Sequence, residues 1–117
     1  MVGRVADPAL RALYRGADLF AFPSRHEGFG IPVVEAMAQE TPVLAADIPA
    51  LREVAADAAR FLPPDDTDAW VAALDELLHD SGERARLAAR GRQRAQQYSW
   101  TRCAEQTRAV YREAMRV

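Results

Sequence analysis

The sequence predicts an α/β fold: part of a parallel sheet of three to four strands, helices on both faces, and a helical carboxyl-terminal segment. Three observations predict it. Short apolar runs alternate with helical stretches through residues 1–62; those runs are nearly continuous in apolar character, as strands covered on both faces require; and from Thr67 onward the apolar spacing is helical. Such alternation favours right-handed crossovers, so residues 1–62 read as part of a Rossmann-like layer, residues 67–117 as helical, and the whole 1–117 as one partial domain.

Each element has its own signal. Asp7-Pro8 reads as an N-cap followed by proline at the first helical position, with Leu10, Leu13 and Tyr14 at helical spacing up to Gly16. Asp18 to Phe22 is an apolar strand closed by Pro23-Ser24. Pro32 to Gln39 is helical, with Val33, Val34, Met37 and Ala38 as its inward face, and Val43 to Ala46 is the next strand. Ala50 to Ala56 forms a short helix and Ala59 to Leu62 a strand, stopped by Pro63-Pro64-Asp65-Asp66. Trp70, Val71, Leu74, Leu77 and Leu78 make an apolar stripe, and Asp80 with Glu83 reads as a capping box for the helix that follows. Ser99 caps a last helix with a weaker stripe of Cys103, Thr107, Val110, Tyr111 and Ala114.

Composition narrows the function. The 117 residues suffice for one modest core and carry a formal net charge of −2, with basic residues spread among acidic ones, so nucleic acid is not an expected partner. No apolar run is long enough to span a bilayer, the start lacks the pattern of a secretory signal, and the single Cys103 cannot pair within the chain; a cytoplasmic location is expected. Every one of the 15 basic residues is Arg, which excludes a lysine P-loop or a pyridoxal Schiff base within this chain. No Gly-x-Gly-x-x-Gly follows a strand, so a dinucleotide-dependent enzyme is disfavoured. Asp65, Asp66 and Asp68 lack the glycine and terminal glutamate of a calcium loop and read as helix caps; no metal is expected. Cys103 reads as a small buried hydrophobe.

The informative segment is Glu27-Gly-Phe-Gly-Ile-Pro-Val-Val-Glu35, directly after a strand. In open parallel sheets ligands bind beyond the carboxyl ends of strands. Gly28 and Gly30 let backbone approach a ligand, and the amides at the start of the Pro32 helix attract an anion such as a diphosphate. Glu35, about one turn inside that helix, suits paired hydroxyls such as those of a ribose. Glu27 lies nearer whatever is beyond the diphosphate. Two carboxylates flanking an anion site suit a nucleotide sugar.

The run from Leu13 to Ala38 resembles the donor-site segment of the group 1 retaining glycosyltransferases of the GT-B fold, and the match continues through Thr41-Pro-Val43, Pro49 to Val54, Asp57-Ala-Ala59 and Tyr98-Ser-Trp100. Within that family the Pro49 to Val54 segment most resembles the mannosyltransferases. The resemblance implies sugar transfer from a nucleotide sugar with retention at the anomeric carbon, without a metal or other cofactor. It implies that Glu27 lies by the donor sugar, as nucleophile or as electrostatic support, that Glu35 binds the ribose, and that Gly28, Phe29, Gly30 and Ile31 form the loop meeting sugar and phosphates. Ser24 is either a further donor contact or a turn residue, and Glu53 either a pocket residue or a surface charge. His26 reads as an exposed loop residue.

Two departures matter. Glu40 stands where the family usually has glycine at the end of the motif helix; a left-handed cap would be strained there, so the helix is expected to end differently. The family's upstream basic pair and amino-terminal acceptor domain are not within these residues, so the chain is expected to be the carboxyl-terminal part of a donor-binding domain and to be inactive by itself. Self-association through an unpaired sheet edge, and membrane association through the missing domain, are further expectations. The alternative reading is a nucleotide-binding or interaction module that keeps the scaffold without turnover.

Overall fold

The structure, a computed structural model, describes residues 7–98 and 112–114. Its elements are α1 (Asp7–Gly16), β1 (Phe20–Phe22), α2 (Ile31–Ala38), β2 (Val43–Ala46), α3 (Pro49–Ala55), β3 (Ala59–Leu62), α4 (Thr67–Leu78) and α5 (Ser81–Ala95), followed by a 3₁₀ turn at Gln96–Tyr98. Among the described residues the sheet has three parallel strands in the order β1-β2-β3, with Phe20 opposite Val43 and Val43 opposite Ala59. The expected last helix, with Ser99, Cys103, Thr107, Val110 and Tyr111, lies outside the described residues apart from a helical turn at 112–114.

All four residues of β2 are fully buried, so both faces of the central strand are covered. On β3, successive side chains point to opposite faces: Arg60 reaches Glu76 of α4, while Phe61 lies under the Arg52 guanidinium of α3, 4.6 Å from its ring centroid. β1 is shorter than the expected Asp18 to Phe22. The Phe20 N–H donates to the Pro42 carbonyl at 2.8 Å, and the next rung back would need an N–H that Pro42 lacks. A proline therefore sets the length of the strand facing it.

The buried face of α2 is Val33, Ala36 and Met37, with Val34 half-buried and Ala38 exposed, one position round from the expected stripe. This face receives α5 at close range. A Cβ on Gly91 would lie 3.2 Å from Met37 Cγ and 3.5 Å from its Cα, so the two helices approach as near as a missing side chain allows. In α4, Trp70, Ala73 and Leu77 are buried, whereas Val71 and Leu78 are exposed. The Trp70 Nε1–H donates to the Pro63 carbonyl at 2.9 Å, which satisfies the indole and ties the helix to the double-proline stop.

Of the three aspartates read as caps, Asp66 accepts from the Ala69 amide at 3.0 Å, Asp65 pairs with Arg25, and Asp68 lies exposed in the first turn. Asp80 caps α5 by accepting from the Glu83 amide at 3.0 Å, but the box closes on one side only. The Glu83 carboxylate is taken by Arg86, and the Asp80 N–H donates to Leu77 O instead.

The end of α2 corrects the expectation drawn from Glu40. The Thr41 N–H donates to Ala36 O and the Glu40 N–H to Met37 O, both at 3.0 Å, with Glu40 itself at φ 60. That is the Schellman pattern, formed without glycine. Two neighbours hold it: the buried Thr41 hydroxyl donates to the Tyr14 carbonyl, and Arg92 reaches the Glu40 carboxylate at 2.9 Å. A left-handed non-glycine residue costs about 1–2 kcal/mol, partly offset by the smaller chain entropy of a residue with a side chain. Glu40→Gly is therefore expected to raise stability by roughly 0.5–1 kcal/mol, seen as a higher urea midpoint at unchanged slope. A lower midpoint would mean that the Arg92 contact outweighs the backbone strain.

Candidate functional site

The carboxyl ends of β1 and β2 each open into a segment that restarts as a proline-led helix. After β1 the chain runs through Ser24 to Gly30 before α2; after β2 it turns at Asp47-Ile48 into α3. Between these segments lies an open cleft of about 490 Å³ lined by Arg25, His26, Glu27, Gly28, Ile48, Pro49 and Ala50. The cleft is at the sheet end where α/β folds place ligands.

Local bonds fix its chemistry. The Ser24 hydroxyl lies 3.0 Å from both Glu27 Oε2 and the His26 carbonyl, so it orients the Glu27 carboxylate and closes the turn after β1. Glu27 is half-buried and His26 exposed. Arg25 forms an exposed ion pair with Asp65 at 2.5 Å, an arrangement of little energetic weight that still keeps a cation at the rim. Gly28 has open space where a Cβ would be, leaving its backbone free to meet a ligand.

Gly30 is the N-cap of α2, with φ 79, and accepts at its carbonyl from the Val33 amide at 3.0 Å. As glycine it brings no capping side chain to the first-turn amides. A Cβ there would sit 2.8 Å from Leu51 Cδ2, so any other residue would combine left-handed strain with displacement of that side chain.

Of the residues singled out in the sequence, the cleft brings together Glu27 and Gly28. Phe29 and Ile31 are about half exposed beside it, and Phe29 packs edge-on against Tyr98, ring centroids 5.5 Å apart. Glu35 is exposed and lies on the α1 side of α2, where the Tyr14 hydroxyl donates to its Oε2 at 3.3 Å. Glu53 does not line the cleft, and its carbonyl accepts from Arg94 at 2.8 Å. Sequence reasoning missed the opposite wall, Ile48, Pro49 and Ala50. The strand-end rule applied to β1 would have found it if applied equally to β2.

Among the described residues there is no group of three or more His, Cys, Asp or Glu placed to hold a metal ion, and no helix long and apolar enough to cross a membrane.

Comparison with known proteins decides the family. Residues 1–94 match the model of glycosyl transferases group 1. The chain belongs to that family. O-antigen chain mannosyltransferase B of Escherichia coli is 40% identical over 111 residues, covering 95% of this chain and 29% of that protein. Phosphatidyl-myo-inositol mannosyltransferase of Mycolicibacterium smegmatis is 41% identical over 113 residues, covering 94% and 29%. Among solved structures, sucrose-phosphate synthase from Thermosynechococcus elongatus superposes with a TM-score of 0.91 at 31% identity over 97% of this chain and 29% of that one. The chain thus spans less than a third of these relatives, and within that span it has the GT-B arrangement of strands and helices.

In this family member Tyr14 reports on Glu35. Burial, and next the adjacent Glu35 carboxylate, push the Tyr14 hydroxyl from its ordinary value of 10 up to about 12. The folded state thus holds that proton more tightly than the unfolded state. The resulting stability is complete below about pH 10 and is lost as pH rises toward the folded value. Ultraviolet titration is expected to show a tyrosine component near pH 12 that Tyr14→Phe removes. Glu35→Gln should lower that component while leaving it above the ordinary value, because burial is the larger cause.

Proposed function

We propose that this chain is the nucleotide-sugar-binding portion of a retaining glycosyltransferase. The observation that carries the proposal is the cleft at the ends of β1 and β2. There Ser24 holds a half-buried carboxylate, Glu27, beside the unobstructed backbone of Gly28 and opposite the start of α3. In this reading the donor diphosphate meets the Gly28 to Gly30 backbone and the first turn of α2, with Phe29 and Ile31 flanking it. The ribose hydroxyls donate to Glu35, whose Oε2 accepts from Tyr14 and whose Oε1 faces no donor among the described residues. The sugar lies toward Glu27.

The acceptor oxygen forms a bond to the anomeric carbon on the same face from which the diphosphate departs, with the acceptor proton passing to the departing phosphate, so configuration is retained. Positive charge grows on the sugar ring in that step, and a carboxylate fixed beside it lowers the barrier. Mannose is the proposed sugar, from the names of the two mannosyltransferase relatives. In this reading the first-turn amides of α2, which lack a side-chain cap, face the diphosphate charge, and the proposal includes no metal or other cofactor. The acceptor-binding groups belong, in this reading, to the part of the relatives that the chain does not cover.

Glu35→Ala in the full-length enzyme is expected to weaken nucleotide-sugar binding by about 1.5–3 kcal/mol, the usual loss when hydrogen bonds to a charged group go. Calorimetric titration of both proteins with GDP-mannose and UDP-glucose measures it, and equal affinities would remove Glu35 from the site. Glu27→Gln should reduce kcat by about 10²-fold or more with little change in donor affinity. Unchanged turnover would exclude the role given to Glu27, and an anomeric coupling in the product unlike that of the donor would exclude retention.

A further inference from the structure

We propose that Arg94 is a positioning residue for the cleft: its guanidinium fixes the end of α3 and, through Tyr98, the Gly-Phe-Gly loop, so that the two cleft walls keep their spacing. The proposal rests on geometry that spans 40 residues of sequence. Arg94 Nε–H donates to Val54 O at 2.9 Å and Nη2–H to Glu53 O at 2.8 Å, so the planar fork takes both carbonyls at the end of α3. The same Nη2 lies 3.0 Å from the Tyr98 hydroxyl, and Nη1 donates to Gln97 Oε1 at 3.0 Å. The Tyr98 ring then meets the Phe29 ring edge-on.

α3 needs such an anchor. It has seven residues, and it ends at Ala56 with φ 50 and ψ −119, followed by a bond from the Ala58 N–H to Ala55 O at 2.8 Å. Those angles are the first central position of a type II′ turn, where glycine is the favoured residue. A short helix ending in a strained turn has little intrinsic stability, and a cation on its last carbonyls is the favourable partner for its dipole. The other end of the same helix supplies Pro49 and Ala50 to the cleft, and its middle supplies Leu51, the side chain beneath Gly30. Release of the Arg94 fork frees α3 as a unit, and Pro49, Ala50 and Leu51 shift relative to Glu27 and Gly28.

The functional consequence rests on the nucleotide-sugar reading; the structural one does not, and one experiment separates them. Hydrogen exchange by mass spectrometry is measured on the full-length protein for wild type, Arg94→Ala, Arg94→Lys and the control Arg86→Ala. The control removes an exposed α5 arginine whose side-chain partner is Glu83. Binding of GDP and of UDP is titrated in parallel. Amides in segments 28–34 and 49–58 are expected to exchange roughly tenfold faster in Arg94→Ala, with α4 and the sheet unchanged. Arg94→Lys, whose ammonium cannot span two carbonyls and a hydroxyl, should keep most of that defect even where Arg94→Ala folds poorly. Whichever nucleotide binds wild type should bind both variants several-fold more weakly. Unchanged exchange, a uniform rise over the whole chain, or wild-type exchange in Arg94→Lys would each overturn the positioning role. If neither nucleotide binds wild type while the local exchange defect is present, the nucleotide-sugar reading fails and the role of Arg94 in holding the cleft walls stands.

Discussion

Gly30 lies directly against Leu51 of α3, in a left-handed conformation that leaves no room for a side chain, and the segments that build the cleft are referenced to that contact. Leu51 is fully buried, so it cannot yield by turning outward. The loop after β1 must therefore end at a fixed height above α3, and α2 must start there. Left-handed φ, the N-cap role and the close approach are separate demands that only glycine meets together. Because α2 also carries the fully buried Met37 under Gly91 of α5, the same reference extends to the far side of the helical layer.

Beside the arginines that form ion pairs, two act as clamps on helix ends. Arg84 donates to the carbonyls of Leu77 and Leu78 at 2.7 and 2.8 Å, closing α4, and Arg94 does the same for α3. Arg84 makes both bonds through Nη1, adding to the Asp80 N–H on Leu77 O, whereas Arg94 uses the fork of Nε and Nη2 to reach two carbonyls at once, which an ammonium could not do in that geometry. The pair Arg52–Asp47, by contrast, is exposed; the Arg52 hydrogen bond holds the Asp47 carboxyl below its usual value, but solvent screening leaves such pairs little influence on stability. The absence of lysine from the sequence thus has a structural counterpart beyond the chemistry it excludes.

What was legible in the sequence is what local rules determine. β2 and β3 fall at the expected residues because their apolar runs are bounded by prolines and turns, and α4 begins at Thr67 because Asp66 caps it. Glu27 and Gly28 were found because a strand end followed by glycines is itself a local pattern. The failures have a common cause. The length of β1 depends on Pro42 in the neighbouring strand, the cap at Glu40 depends on Thr41 bonding back to Tyr14, and the anchoring of α3 depends on Arg94, far along the chain. None of these leaves a signal within a window of a few residues, since each is decided by a partner brought near only in the folded chain.

The two motif carboxylates differ in the same way, and the difference bears on how the site is held. Glu27 is oriented by Ser24, three residues away, so its position is a property of one turn and survives wherever that turn forms. Glu35 is oriented by Tyr14, 21 residues away on another helix, and Tyr14 is itself fixed by the buried Thr41 bond to its carbonyl and by edge-on packing of its ring on Phe20, centroids 5.3 Å apart. Thr41 follows the strained cap at Glu40. Orientation of Glu35 is thereby linked through Tyr14 to the end of its own helix and to the start of the sheet. A perturbation at α1 or at the α2 terminus should reach Glu35 and leave Glu27 in place, so the two ends of the candidate site are set by independent parts of the fold.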